Sequence, residues 1–96
     1  MISVTTVFTR PSTDVKFHVW HGLGSHISNN HAGGVLSNSA EFSNNFLTLT
    51  RTMVFASQAA RTAWDQDPVV AAAVAEGRAV NQSNGITESD RVAVEM

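Results

Sequence analysis

Residues 46–70 read FLTLTRTMVFASQAARTAWDQDPVV, and the order of patterns inside this stretch decides the fold. Leu47, Leu49, Met53 and Phe55 fall on one face of a strand, with Arg51 among them. Phe46, Thr48, Thr50, Thr52 and Val54 fall on the other. This is the period of two expected for a half-buried strand rich in threonine and large apolar residues. Ser57 then stands where a helix over SQAARTAWDQ needs its N-cap. Asp67-Pro68 interrupts that helix and starts another, because an acidic cap followed by proline at the first helical position is a start signal. The stretch therefore predicts a strand, a helix, and a second helical piece set off by a break.

Working outward, Asn44-Asn45 is turn chemistry, and VLSNSAEF at 35–42 supplies the partner strand of a hairpin. At the start of the chain, ISVTTVFTR puts Ile2, Val4, Thr6 and Phe8 on one face, and Arg10-Pro11 ends it. Ser12, Thr13 or Asp14 can cap a helix over 14–21. Its stripe of Val15, Val19 and Trp20 continues to Leu23 and Ile27. Gly22 and Gly24 each cost about 1 kcal/mol relative to alanine in a helix, so a loop is expected from there to Gly33-Gly34. DPVVAAAVAEGRAVNQS reads as a helix stopped by Asn84-Gly85, and 86–96 as a last strand with Val92 and Val94 on one face. The order is β-α-β-β-α-β in a single domain over residues 1–96. That is the ferredoxin-like α+β arrangement, a four-stranded antiparallel sheet with helices on one face. Val7, Phe46, Val54 and several threonines lie on the uncovered face, which predicts a homo-oligomer paired through the sheet.

Composition excludes several functions. Charged residues are 15% of the chain and the formal net charge is −2, which offers no basic footprint for nucleic acid or for an anionic membrane. No apolar run approaches the roughly 20 residues of a membrane span. The opening alternation reads as a strand rather than a signal peptide. With no cysteine, there is no disulfide and no thiolate chemistry.

The segment FLTLTRTMVFASQAARTAWDQDPVV resembles the strand, helix and Trp-x-x-Asp-Pro step of the dimeric α+β barrel group, which includes antibiotic-biosynthesis-monooxygenase-like proteins. With the first strand and helix, the resemblance spans most of the chain. It implies two sheets paired into one barrel, with a cavity in each subunit between sheet and helices. The group includes haem-degrading enzymes, whose tryptophan matches Trp64 and whose iron-ligating histidine falls near Val74. VVAAAVAEG holds no histidine, so haem degradation is excluded. The phrases FTRPSTDV and VNQSNGITES look like those of small tailed-phage virion proteins.

The chemistry-bearing residues each have an ordinary reading beside a functional one. His18, His21, His26 and His31 crowd one segment. On a helix His18 and His21 would be i,i+3 neighbours able to share a metal, but a third ligand such as Asp14 is needed. Solvated histidines are the plainer expectation, although a loop could gather His26 and His31 toward the pair. Arg51 interrupts an apolar strand face, and a pairing with Glu88 or Asp90 would satisfy it. Trp20 and Trp64 read as core. Of Asp65 and Asp67, one caps the helix at Pro68 and the other is solvated. The Gly22-Leu23-Gly24 step lacks the rest of a dinucleotide fingerprint.

Two functions are therefore expected. The first is a non-enzymatic, self-associating structural protein, such as a phage capsid decoration subunit, with itself and other virion proteins as partners. It would lie in the virion; otherwise the chain is expected in the cytoplasm. The alternative is a small cofactor-independent monooxygenase-like enzyme, with His18 or His26 as base, Arg51 as anion clamp and Trp64 as pocket wall. Neither reading calls for a cofactor, a metal, nucleic acid or a membrane. A ligand-sized cavity between helices and sheet separates the two.

Overall fold

The computed structural model describes residues 1–96. Along the chain run β1 (Ile2–Thr9), α1 (Leu23–Asn30), β2 (Val35–Phe42), β3 (Thr48–Phe55), α2 (Gln58–Gln66), α3 (Pro68–Ser83), β4 (Thr87–Glu88) and β5 (Val92–Glu95). The antiparallel sheet has the order β2-β3-β1-β4, with β5 also paired to β1. The register sets Val4 opposite Met53, Thr6 opposite Arg51 and Phe8 opposite Leu49. These pairs share the face toward the helices, as the alternation in 2–8 and 47–55 requires. Val4, Leu23, Val35, Phe55, Trp64 and Val70 form the buried cluster between the layers.

The break inside 46–70 is built as its residues dictate. Ser57 accepts the Ala60 N–H, and Asp67 accepts the Val69 N–H with Pro68 in the first turn. One helix thus ends and another begins with a side-chain cap on one first-turn donor of each. At the far end of α3, Gly85 takes φ 76, the left-handed conformation that stops a helix.

The first helix is displaced from its expected place. Residues 14–21 are irregular, and α1 begins only at Leu23, with Gly22 as an N-cap that makes no side-chain bond. Tertiary partners have taken the backbone groups that a helix over 14–21 would use. The Arg10 guanidinium donates to the Val15 carbonyl at 3.0 Å and to the Phe46 carbonyl at 2.8 Å. It also lies over the rings of Phe17 and Phe42, 4.9 and 5.5 Å from their centroids. The His18 N–H donates to Asn81 Oδ1 at 3.0 Å. Trp20, Leu23 and Ile27 of the predicted stripe still pack inward, whereas Val19 is exposed. Ser12, Thr13 and Asp14 consequently cap nothing.

The last strand is also interrupted. Ser89 replaces a ladder step: its N–H donates to the Val7 carbonyl and its hydroxyl accepts the Val7 N–H, at 2.8 and 2.9 Å. The chain then resumes as β5, where Val92 lies opposite Thr5 and Val94 opposite Ser3, on the face away from the helices. No helix is long and apolar enough to cross a membrane.

Candidate functional site

Between sheet and helices lies a cavity of about 150 Å³. That is room for a single aromatic ring, since an apolar cavity of about this size holds benzene. Val4, Thr6, Phe8, Arg51, Met53 and Phe55 form its sheet floor. Trp20, Trp64, Val74, Gly77 and Asn81 form its walls. A wider cavity of about 450 Å³ adjoins it, bounded by Phe17, Phe42 and Leu49 among others. Phe8, His18, Arg51 and Asn81 line both.

Charge is distributed with a strong bias toward these spaces. The chain has 6 lysines and arginines. Arg51, Arg61, Arg78 and Arg91 line the first cavity, and Arg10, Lys16 and Arg51 the second, so every cation borders one of them. Most are already answered. Arg78 pairs with Glu88 at 2.7 Å, and Asp65 lies 3.9 Å from Arg61 and 3.5 Å from Arg91. Arg10 is met by carbonyls and rings, and Lys16 is exposed to solvent. Arg51 is half-buried without a partner: the expected pairing with Glu88 or Asp90 does not form, because Glu88 is held by Arg78 and no carboxylate lies within 4.0 Å of Arg51. Burial lowers the Arg51 pKa from its usual value, yet a guanidinium keeps its charge in proteins. A half-buried, unpaired arginine on the floor of an aromatic cavity is a place for an anion.

His18 lines the same two cavities. The imidazole packs closely enough on α3 that a Cβ at Gly77 would sit 2.9 Å from His18 Cδ2. Its backbone N–H is fixed by Asn81, while neither ring nitrogen has a protein partner. His18 is thus held at the cavity with its nitrogens free, not spread on a solvated helix face as its spacing from His21 predicts. His21 is exposed, and with no helix at 18–21 the two histidines do not form the expected i,i+3 pair.

His26 and His31 go elsewhere. Both Nε2 atoms meet Asp67 Oδ2, at 2.6 and 2.7 Å. The hydrogen bonds from His31 and then His26 hold the Asp67 carboxyl well below the usual carboxylate range. His26 lines neither cavity, which removes it as the candidate base. Trp64 separates the two polar groups. It is 5% exposed, lines the cavity on one side and meets the His31 ring edge-on at 4.8 Å on the other. It is core and pocket wall at once, and Trp20, 6.3 Å from it, shares both roles.

Gly77 and Asn81 belong to no sequence motif, yet both shape the site. A glycine within an alanine-rich helix costs about 1 kcal/mol against alanine, which is itself a signal that something must approach closely there.

No family model matches the chain, and no curated protein matches it. Two solved structures do. One is a candidate antibiotic biosynthesis monooxygenase from Deinococcus radiodurans. It is 13% identical with a TM-score of 0.63, over 100% of this chain and 92% of that one. The other is a dimeric ferredoxin-like protein from an uncultured marine organism. It is 14% identical with a TM-score of 0.58, over 99% of this chain and 95% of that one. At this level of identity the likeness is one of fold: the chain has the ferredoxin-like α+β architecture of both.

Proposed function

We propose that this chain is a small cofactor-independent monooxygenase-like enzyme, working as a dimer, with its substrate in the cavity between sheet and helices. The observation that carries the reading is Arg51, a cation with no protein partner on the floor of a tryptophan-walled cavity beside a free imidazole. The likeness in fold to the Deinococcus radiodurans protein supports the same class. A capsid decoration role predicts a packed interior, and neither matched structure bears on a virion.

The chemistry follows from three side chains. His18 takes a proton from a carbon made acidic by neighbouring hydroxylated rings. Arg51 stabilises the anion that forms. The carbanion gives its electron pair to dioxygen and forms a C–O bond. The resulting hydroperoxide loses water to leave a ketone, so CH₂ plus O₂ becomes C=O plus H₂O. Trp64 and Trp20 hold the flat substrate. Because Arg51 and His18 border both cavities, a fused-ring molecule can react at the boundary while reaching into the wider space.

Dimerisation is supported by the open sheet face and by the dimeric state of the marine protein. Only 10 of the 96 residues are buried in the single chain, and Val92 and Val94 are 58% and 55% exposed beside Thr5 and Ser3. Pairing two such faces would cover them. Thr50→Glu on that face is expected to shift the protein toward monomer in sedimentation runs. A well-folded monomer at high concentration in the unaltered protein would remove the dimer from the proposal.

The test of the reaction is oxygen uptake with a panel of hydroxylated tricyclic arenes carrying an acidic CH₂. Consumption of one O₂ per ketone formed, lost in Arg51→Met and in His18→Gln, is expected. Uptake equal in the variants and the unaltered protein, or absent across the panel, overturns the reading.

A further inference from the structure

Behind the tryptophan wall, the geometry points to a divalent-cation site, best suited to zinc, formed by His26, His31 and Asp67. Their ligand atoms all lie within 4.8 Å of one another. They come from three places in the fold: the middle of α1, its C-cap, and the junction of α2 with α3.

The carboxylate is divided between two tasks. Oδ1 accepts the Val69 N–H at 2.9 Å and so does the capping by itself. Oδ2 serves no helix, and both imidazole Nε2 atoms converge on it at 2.6 and 2.7 Å. The only ion-pair partners of Asp67 within 4.0 Å are these two histidines. The three side chains are only 10–14% exposed, so the group is shielded and held.

Two imidazoles and one carboxylate oxygen are a donor set that zinc accepts, with water as the fourth ligand. Bonds of about 2.1 Å in tetrahedral geometry set ligand atoms about 3.4 Å apart. Entry of the ion therefore needs each Nε2–Oδ2 separation to open by less than an ångström, and the two imidazole nitrogens, up to 4.8 Å apart, to draw together. Orientation is provided as well. The Asn30 amide nitrogen lies 3.2 Å from His26 Nδ1 and donates to the His26 carbonyl at 3.3 Å, which holds it against the His26 ring. His31 is braced by Trp64. Since Trp64 stands between this group and the cavity, the ion would clip α1 to the α2–α3 junction and not touch the substrate.

The experiment is a calorimetric titration of tag-free, chelator-treated protein with zinc chloride, together with melting curves. One zinc per chain at micromolar or tighter affinity, with a raised Tm, is expected. His31→Gln and His26→Gln should each lose that binding, while His21→Gln, altered at an exposed histidine outside the cluster, should keep it. Cobalt(II) added to the unaltered protein should give the visible absorption of a tetrahedral ion. Binding only at millimolar zinc, binding that follows His21, or no binding at all overturns the site. The titration of the unaltered protein decides the matter even if a variant fails to fold.

Discussion

Two polar groups flank Trp64, and they are built in opposite ways. On the cavity side, Arg51 has no carboxylate within 4.0 Å and the His18 ring has no hydrogen bond. On the other side, His26, His31 and Asp67 satisfy one another at 2.6–2.7 Å. A charge removed from water without a partner costs stability, so a fold keeps one mainly where something else will meet it. The unsatisfied group therefore marks where an organic anion belongs, and the satisfied one ties the chain's own segments together, directly or through the ion proposed above. Trp64 lets both exist within one small layer because its two faces serve different neighbours.

Removing that wall should have the largest effect. Trp64→Ala is expected to cost about 3–5 kcal/mol, as for other buried aromatic truncations, and urea unfolding would measure it. A loss below about 1 kcal/mol would show that the two groups do not depend on a common wall.

The satisfied side can be broken more gently. Asp67→Asn keeps a capping oxygen but removes the charge that both histidines hold. It should lower the Tm by several degrees in metal-free protein near neutral pH. Because the folded pKa of Asp67 lies below its ordinary value of 3.8, its contribution is complete above that value and is lost as pH falls beneath it. Melting curves of the unaltered protein should therefore drop more steeply below about pH 4 than those of Asp67→Asn. Parallel acid limbs would contradict this account of the cluster.

The unsatisfied side is sharpened by Gly77→Ala. Alanine favours the helix by about 1 kcal/mol, but its methyl would meet His18 Cδ2 at 2.9 Å and push the ring. Turnover should fall while the Tm holds or rises. Unchanged turnover would remove His18 from the chemistry.

Much of this arrangement was legible in the residues. The alternation in 2–8 and 47–55 assigned the inner faces, and Ser57, Asp67 and Pro68 marked the helix break where it occurs. Arg51 stood out as a charge on an apolar face, and Trp64 as an aromatic at the end of a helix. The segment 11–34 was not legible, because Arg10 and Asn81 capture the backbone groups of Val15 and His18. Local propensity has no term for such competition. The same displacement explains why His18 reaches the cavity and His26 does not. It also explains why Asp67, whose sequence context announces only a cap, became the centre of a histidine pair.

The central claim is that Arg51 awaits an anion. Trp20 and Trp64 line the cavity, so their fluorescence reports occupancy, and benzoate can be compared with benzamide, a neutral ring of nearly the same shape. A charge-assisted pair should favour benzoate by about 10–100-fold, and Arg51→Met should erase the preference without lowering the Tm. Equal affinity for the two ligands, or a preference that survives Arg51→Met, would contradict the claim.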